Sequence, residues 1–414
     1  MTSRALWVWL AQACRPGSAV WGQLRSMGQT PERLFAADRE QLAPLLGRKR
    51  TVLEALCQKD LAPAEEILSI CAAGGISVIP FDDPAYPECL RRIDAPPAVL
   101  YVRGAADLAH LPFSVGVVGT RAATEYGRTQ AFALADKLAR TGAAVISGLA
   151  LGIDAVAHAA ALSAGGVTVA VVACGVDRVY PACHLRLADA VCEQGALVSE
   201  YPPGTTPERY RFPERNRIIS ALSSAVVVVE GAENSGALIT ARCAMEQGKA
   251  VYAFPGRADD KTSAAPFAVY RAGGRMLLCA EDLLADFPRE TATLVPPASA
   301  SEPPEDPKAV IARLGVCSVS DRPTAVRSAP EPTAPETSEP PPGEDGLPTP
   351  DLSGLSSQAL ALLYAIPADG SCLPDELAEL ADPATLGRLL TMLEISGMIG
   401  RLPSGRICRT VSLP

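Results

Sequence analysis

The feature that most constrains the fold is a series of short β-branched runs that alternate with segments of helical period. The run Val226-Val227-Val228-Val229 is apolar on both faces, which is typical of a central parallel strand covered by helices on both sides. Residues 129–140 and 236–247 have helical period and helix-forming composition. Strands that alternate with helices predict βαβ units and a parallel sheet. The predicted strands are 115–118, 143–146, 167–172, 196–199, 225–229 and 250–254.

This pattern predicts an α/β fold, an extended Rossmann-like parallel-sheet domain over residues 76–288. The chain has 414 residues, which is long for one domain. Residues 1–75 consist of short helical segments with polar punctuation and predict a small helical domain of the SAM or helix-hairpin-helix type. Residues 289–352 are rich in Pro, Glu, Ser and Thr and predict a disordered, extended linker.

Residues 353–414 predict a winged-helix domain. Helical patterns at 355–365, 374–380 and 385–395 precede two short strands around Pro403-Ser404-Gly405. Many winged helices bind DNA through the third helix. Here that helix has Arg388 as its only cation and also carries Glu394. A protein-binding role and a DNA-binding role therefore both remain open for this domain.

Charge and composition bound the class of protein. The net charge of -9 argues against a nucleic-acid partner, but residues 289–355 hold eleven acidic and five basic residues and contribute -6 of it. No apolar run approaches the length of a membrane span. The twelve cysteines form no Cys-x-x-Cys pair and only three histidines occur, so we expect no metal site and reduced thiols in a cytoplasmic protein.

The N-terminus and one basic tract each allow two interpretations. Arg4, the apolar residues 5–11 and Cys14 loosely imitate a lipoprotein signal. Because Leu6, Leu10 and Ala13 recur at helical spacing, we favour a first amphipathic helix. The tract 48–50 is either a solvated surface or a DNA contact, and solvation is the commoner state of such a tract.

Four loops at predicted strand ends carry the chemistry, because open α/β sheets bind ligands beyond the carboxyl ends of their strands. Glycines there allow close backbone approach, exposed amides can bind anions, and arginine suits phosphate. The residues of these four loops that can meet an anion are Gly119, Thr120 and Arg121; Ser147 and Gly148; Arg215, Asn216 and Arg217; and Ser235, Gly236 and Thr240. Their number favours one shared anion site, and Tyr126, Tyr210, Phe212 and Tyr252 are candidates for stacking on bases.

Several of these residues also have an ordinary structural explanation. Asp154 is equally a helix cap, and His158 is better explained as a packed core histidine than as a catalyst. Arg215 and Arg217 can pair with Glu214 or Glu208, and Lys249 can be solvated at the start of a strand. Glycines at strand-to-helix turns can be required by geometry alone.

Two nucleotide-binding motifs are missing. No Gly-x-Gly-x-x-Gly follows the first predicted strand, since Gly116 lies inside it and only Gly119 follows. No Gly-x-x-x-x-Gly-Lys-Ser/Thr sequence occurs, because Gly248-Lys249 is followed by alanine. A dinucleotide oxidoreductase and a P-loop ATPase are therefore disfavoured, and no cofactor is expected.

The ordered motifs resemble the bacterial DNA-processing protein A family (DprA, also called Smf). They include Tyr86-Pro87-x-x-Leu90, Val118-Gly119-Thr120-Arg121, Ser147-Gly148-Leu149-Ala150-x-Gly152-Ile153-Asp154, Ser199-Glu200-Tyr201-Pro202-Pro203-Gly204, Phe212-Pro213-x-Arg215-Asn216-Arg217 and Ser235-Gly236-Ala237-Leu238-Ile239-Thr240. The resemblance implies a homodimer that binds single-stranded DNA without cutting it. It also implies protection of incoming strands in natural transformation and loading of RecA recombinase past single-strand-binding protein. Carried over onto this chain, the resemblance implies phosphate binding by Gly119, Thr120, Arg121, Ser147, Gly148, Arg215, Asn216, Arg217 and Lys249.

The chain departs from the family pattern at two places. His184 stands where the family usually has asparagine, and residues 263–273 lack the usual Ser-x-Gly-x-Asn-x-Leu-Ile pattern. Two other functions are alternatives. One is a phosphoribohydrolase-like enzyme, but this chain lacks the expected acid/base residue and has only Glu230 and Glu233 as weak substitutes. The other is a protein-only scaffold that uses the winged helix as its interaction arm.

Overall fold

A computed structural model describes residues 3–318, 371–372, 389–390, 393, 399–401 and 407–409. The chain divides into two compact units, Met1–Val326 and Arg327–Pro414. The strands of the first unit are β1 (Ser77–Pro80), β2 (Val99–Gly104), β3 (Ser114–Val118), β4 (Ala144–Ser147), β5 (Thr168–Val171), β6 (Ala196–Ser199), β7 (Ala225–Val228), β8 (Ala250–Ala253) and β9 (Arg275–Met276).

Within residues 3–318 these strands form one sheet in the order β1-β2-β6-β5-β4-β3-β7-β8-β9. All six predicted strands are confirmed and pair in parallel with one another. The sheet is mostly parallel rather than wholly so, because β2 pairs antiparallel with both β1 and β6. The chain proceeds outward from β3 on both sides, so β3 and β7 flank the topological switch point.

Helices cover both faces of this sheet. The helices from residue 88 onward are α7 (Glu88–Arg91), α8 (Glu125–Arg140), α9 (Ile153–Ser163), α10 (Leu185–Gln194), α11 (Arg211–Leu222), α12 (Gly236–Glu246), α13 (Ala264–Arg271), α14 (Ala280–Ala285), α15 (Pro288–Thr291) and α16 (Pro307–Arg313). Helix α9 is buried from Ile153 to Leu162, and its five alanines let α8 approach it closely. The central strands β3 to β7 are buried along their whole length, as the valine run predicts.

Six helices precede the sheet and pack onto it. They are α1 (Ser3–Cys14), α2 (Val20–Ser26), α3 (Pro31–Ala36), α4 (Arg39–Leu46), α5 (Arg50–Cys57) and α6 (Ala62–Ala73). The helix predicted at the N-terminus is present as α1. It is buried on nearly all sides, so it lies inside the helical group and does not have the exposed polar face of an amphipathic helix. Trp7 contacts Trp21 edge-on, with 5.0 Å between ring centroids. The Trp7 ring also lies 6.0 Å from the ring of Phe81, the residue that follows β1. These helices therefore share a core with one face of the sheet.

The segment 289–318 differs from the predicted extended linker. It contains α16 and part of α15, and Val310 of α16 is buried. The Arg140 guanidinium donates to the carbonyl oxygens of Ser299, Ala300 and Glu302. A segment with few apolar side chains can still pack onto a surface that other elements have formed. Composition alone therefore did not predict this packing. The predicted linker residues 319–352 lie outside the described residues.

In the second unit three short strands are described. They are β10 (Ser371–Cys372), β11 (Ile399–Arg401) and β12 (Ile407–Arg409), in the order β10-β12-β11. The antiparallel pairing of β11 with β12 agrees with the predicted hairpin around residues 403–405. The predicted helices 355–365 and 374–380 lie outside the described residues, as does most of 385–395. The winged helix therefore stays a prediction.

No helix in the described part of the chain is both long and apolar enough to span a bilayer.

Candidate nucleic-acid interface

The candidate interface lies at the carboxyl edge of the sheet, around the switch point between β3 and β7. The loop after β3 begins with Gly119, where a Cβ atom would stand 2.5 Å from Cγ1 of Ile153 and 3.0 Å from the carbonyl oxygen of Glu230. The amide of Thr120 donates to that carbonyl at 2.8 Å. Gly119 is thus required for close packing, and the Thr120 amide is already used within the protein.

A buried carboxylate fills the switch-point crevice. Glu230, directly after β7 and its following valine, accepts hydrogen bonds from the Thr124 amide at 3.0 Å and from the Thr124 hydroxyl at 2.5 Å. Thr124 is the N-cap of α8, so the carboxylate lies at the positive end of that helix. A Cβ at Gly127 would overlap it. Because both oxygens are held this way, Glu230 is a helix-stabilising anion and fits poorly as a catalytic acid or base.

The loop after β4 is held by two buried ionisable side chains, those of Asp154 and Arg215. The Gly148 amide donates to Oδ2 of Asp154 at 3.2 Å, and Nη1 of Arg215 donates to the Gly148 carbonyl at 3.0 Å. Arg215 also donates to the carbonyl of Val171. Burial raises the pKa of Asp154, and the Arg215 charge opposes this rise. Burial lowers the pKa of Arg215 to about 10, which leaves it charged at neutral pH.

The polar groups of Asp154 and Arg215 therefore hold the loop itself. The N-cap of α9 is Gly152, not Asp154, so the helix-cap interpretation of Asp154 is wrong. Ser147 is fully buried and its hydroxyl donates to the carbonyl of Val117 at 2.6 Å. Ser147 and Arg215, both predicted to bind phosphate, thus use their polar groups on the protein's own backbone.

His158 is a core residue, which confirms its interpretation as a packed histidine. It is fully buried and its Nδ1 lies 2.7 Å from the Thr168 hydroxyl. That hydroxyl donates to the Val145 carbonyl, so Nδ1 of His158 carries the proton. Burial lowers the pKa of His158 to about 3, and the ring is neutral.

The residues 212–217 lie inside α11 and not in a loop before it. Arg217 forms an ion pair with Glu200, and Asn216 donates to the carbonyl of Gly236 at 3.2 Å. Glu200 also accepts the amide of Gly17, at 2.8 Å. Arg217 therefore joins α11 to the residue after β6 and, through Glu200, to the N-terminal helices, and its charge is neutralised there.

The loop after β7 leads into the exposed start of α12. Ser235 is the N-cap of this helix and accepts the Ala237 amide. Gly236 has open space around it, with no heavy atom within 4 Å of a Cβ placed on it, whereas Thr240 is buried. Residues 262–265, at the start of the segment that departs from the family pattern, hold this loop. The Gly231 amide donates to the Thr262 carbonyl, and the Ala265 amide donates to the Gly231 carbonyl.

Lys249 lies away from this edge. It directly precedes β8, which runs parallel to β7, so it stands at the amino edge of the sheet, about 13 Å away along a four-residue strand. It is partly buried there, and burial lowers the pKa of its ammonium group. The structure does not bring Lys249 together with the other predicted site residues.

Arg121 is the predicted residue whose charge stays available. It is exposed, and no carboxylate among the described residues forms an ion pair with it. Its guanidinium lies over the ring of Phe212, 5.2 Å from the centroid. The Tyr180 ring is 5.6 Å from Phe212 and is exposed. Arg121, Tyr180 and Phe212 together form a cationic aromatic cluster, which we call the Arg121 cluster.

Part of this arrangement could not be predicted from the sequence. Tyr180 is not among the predicted stacking residues, because it stands far from Phe212 in the chain and nothing local signals their contact. Tyr252, which is among them, is buried in β8, and its hydroxyl donates to Asp286. Arg128 and Lys308 line a cavity of about 630 Å³ beside Arg121, and Lys308 falls in the segment predicted to be a linker.

The chain is thus a doubly wound, mostly parallel α/β protein with a cationic aromatic cluster at the carboxyl edge of its sheet. The chain belongs to the family described as DNA recombination-mediator protein A, whose model matches residues 77–288.

Individual relatives support this family assignment. The chain is 37% identical over 277 residues to the DNA processing protein DprA of Bacillus subtilis, covering 67% of this chain and 91% of that protein. It is 44% identical over 208 residues to protein Smf of Escherichia coli, covering 50% of this chain and 55% of that relative. The X-ray structure of DprA from Streptococcus pneumoniae matches with a TM-score of 0.60 and 31% identity, covering 69% of this chain and 98% of that one. These relatives support a role in DNA processing.

Proposed function

We propose that the chain binds single-stranded DNA at the Arg121 cluster and acts as a recombination mediator. The observation that carries the proposal is the exposed guanidinium of Arg121 beside two aromatic rings. Guanidinium groups bind phosphate, and aromatic rings stack on unpaired bases without regard to sequence. Bases in a duplex are already stacked on each other, so this combination favours a single strand.

The surrounding surface supports a strand that passes over the cluster. The exposed start of α12 at Gly236 lies at the same edge of the sheet, and Arg128 and Lys308 line the cavity beside Arg121. Around the cluster, the loops are shaped by Gly119, Thr120, Gly148 and Asn216. Phosphate binding by Ser235 and Gly236 remains part of the proposal.

A fluorescence anisotropy titration tests this binding. A labelled oligothymidylate is titrated with the full chain and with Arg121→Ala at several salt concentrations. We expect Arg121→Ala to weaken binding and to reduce the slope of log K against log salt by about 0.7 for each phosphate that is no longer neutralised. Lys249→Ala, which removes a cation from the opposite edge, is the matched control and should leave the slope unchanged. Equal affinity and slope for Arg121→Ala would refute the site.

The mediator activity extends this proposal to partners. Family membership and the resemblance to DprA support protection of incoming strands and loading of RecA past single-strand-binding protein in the cytoplasm. The test measures RecA ATPase on strands coated with single-strand-binding protein. The chain should shorten the lag and Arg121→Ala should not. A protein-only scaffold predicts RecA capture without strand binding, so RecA capture by both proteins alongside absent DNA binding would favour that alternative.

We also propose a homodimer through the edge of the sheet at β9. Met276 and Leu278 are 57% and 66% exposed there, and an edge strand has unpaired backbone groups that a second copy can use. Light scattering after gel filtration should give a dimer for the wild type and a monomer for the double variant Met276→Asp, Leu278→Asp. A monomeric wild type, or a double variant that stays dimeric, would rule out this surface.

A further inference from the structure

Three metal-ligating side chains meet beside the loop after β4. Cys183 and His184 form the end of a single turn before α10, and Cys317 follows α16. Their ligand atoms all lie within 4.8 Å of one another. They meet because α16 packs against α9 and the chain after it returns to the start of α10. Cys183 is exposed, so the cluster is open to an ion from solvent.

The imidazole of His184 is oriented for coordination. Its Nδ1 lies 3.0 Å from the carbonyl oxygen of Leu149. A carbonyl oxygen only accepts, so Nδ1 carries the proton and Nε2 has the lone pair. A histidine that ligates a metal typically donates its other N–H to a backbone carbonyl or carboxylate in this way. Nε2 accepts the Cys317 amide at 3.2 Å, so its lone pair points at the third member of the cluster.

We propose that Cys183, His184 and Cys317 bind one Zn²⁺ ion. Two thiolates and one neutral imidazole are ligands that Zn²⁺ prefers, and water can complete the tetrahedron. Binding releases two protons, one from each thiol, and leaves the His184 Nδ1 proton donated to Leu149. The lone pair of Nε2 accepts the Cys317 amide when no metal is bound, so Zn²⁺ takes the place of that amide proton and the amide turns away as Sγ of Cys317 binds the ion. This inference does not depend on the proposed DNA binding.

Such an ion would fasten residues 307–317 to the sheet. This segment and the residue before it line the cavity beside Arg121 through Asp306, Lys308 and Ile311. The Leu149 carbonyl belongs to the loop that Arg215 and Asp154 hold. One hydrogen bond therefore connects the proposed ion to the loop after β4. Removal of the ion would loosen the segment, whereas Asp154 and Arg215 would still hold that loop.

The expectation of no metal site rested on the missing Cys-x-x-Cys pair and on the small number of histidines. His184 and Cys317 are 133 residues apart, and Cys317 lies in a segment whose composition predicts a linker. Zinc motifs recognised from sequence have closely spaced ligand pairs. A site assembled by the return of a distant segment gives no such signal.

Cobalt uptake tests the proposal. The reduced, metal-free full chain is titrated with Co²⁺, and the visible absorption is recorded. We expect one Co²⁺ per chain with the charge-transfer and d–d bands of a tetrahedral thiolate site, and disappearance of these bands when Zn²⁺ is added. Cys183→Ser, Cys317→Ser and His184→Asn should each abolish them. Asparagine can still donate to the Leu149 carbonyl, so His184→Asn removes the ligand and keeps that hydrogen bond.

Cys279→Ser is the matched control. Cys279 is also exposed but lies at the start of α14, and its variant should keep the bands at full intensity. Zinc should raise the Tm of the wild type and of Cys279→Ser but not of Cys317→Ser. The proposal is overturned if the reduced chain takes up no Co²⁺, if Cys317→Ser retains the bands, or if Cys183 and Cys317 are joined in a disulfide that persists under reducing conditions.

Discussion

The guanidinium of Arg217 and the carboxylate of Glu200 form an ion pair with an Nη2–Oε2 distance of 2.7 Å, and the two side chains are only 12% and 3% exposed. Glu200 also accepts the amide of Gly17 from the N-terminal helices. The same carboxylate thus joins α11, the end of β6 and the turn after α1. A residue that the sequence places in a phosphate-binding loop therefore acts as an internal connector.

Arg217→Ala should destabilise the protein without changing DNA binding by the folded fraction. Removing one partner of a buried pair leaves the other charge uncompensated, which costs roughly 3 kcal/mol. Urea unfolding measures this change, and anisotropy at low temperature measures binding. The control is Arg92→Ala, since the Arg92–Glu88 pair is exposed and should contribute less to stability than a buried pair does. A stable Arg217→Ala with weakened DNA binding would return Arg217 to the interface.

Gly148→Ala should be destabilising because of the Arg215 side chain. A Cβ at residue 148 would lie 2.3 Å from Nη1 of Arg215, and Arg215 is fixed by carbonyl oxygens on two sides. We expect the free energy of unfolding to fall by about 1–3 kcal/mol. Gly236→Ala is the control, because its Cβ would meet no atom within 4 Å. If Gly148→Ala is as stable as Gly236→Ala, the loop does not pack as described.

Tyr180→Ala should weaken binding of single strands by about 1–3 kcal/mol. Stacking involves no phosphate, so the salt slope should match that of the wild type, in contrast to Arg121→Ala. Anisotropy over a salt series separates the two effects. Tyr210→Ala serves as the control, because Tyr210 is similarly exposed but its ring contacts Arg211 outside the Arg121 cluster. A reduced slope for Tyr180→Ala would contradict a stacking role.

Stability should fall on acidification because of His158. Its folded pKa is lowered by burial from 6.5 to about 3, so between these values the unfolded chain binds the proton and the folded protein does not. The stability that the neutral His158 ring contributes is complete above pH 6.5. It diminishes as pH falls, by up to about 1.4 kcal/mol per pH unit. Burial also lowers the pKa of His184, which adds in the same direction.

Urea unfolding at pH 7 and pH 5 checks this, with His158→Asn as the test variant. The variant should show a smaller decrease in stability between the two pH values, since asparagine can donate to Thr168 but does not titrate. His110→Gln, which alters an exposed histidine, should behave like the wild type. An equal decrease in His158→Asn and the wild type would show that other groups govern the acid dependence.

Much of the fold could be predicted because its signals are local. The six parallel strands and the helices between them follow from runs of valine and alanine and from glycine turns. The antiparallel strands β1 and β2 were not predicted, because neither has the continuous β-branched run that is typical of a central strand. Segment 289–318 was predicted wrongly, because its packing depends on a surface supplied by α8 and α9.

The candidate site was predicted in position but not in the role of each residue. Strand ends identified the carboxyl edge, and Arg121 is available there. Nearby glutamates suggested Glu214 or Glu208 as partners of Arg215 and Arg217, but Arg217 pairs with Glu200 and Arg215 donates to two carbonyl oxygens. Nothing beside these arginines in the chain reveals those partners. Whether an arginine stays free depends on the carbonyl and carboxylate oxygens that reach it from strands and helices elsewhere in the chain.

The parallel strands and the edge of the sheet at which a ligand can bind could be predicted from the sequence, because periodicity and turn residues act over a few neighbours. The strand order, the pairing of Arg217 with Glu200, the place of Lys249 at the far edge and the return of Cys317 to His184 depend on the folded chain. The reason is physical: a charge or a lone pair is neutralised or left available by groups within a few ångströms, and those groups come from distant parts of the chain.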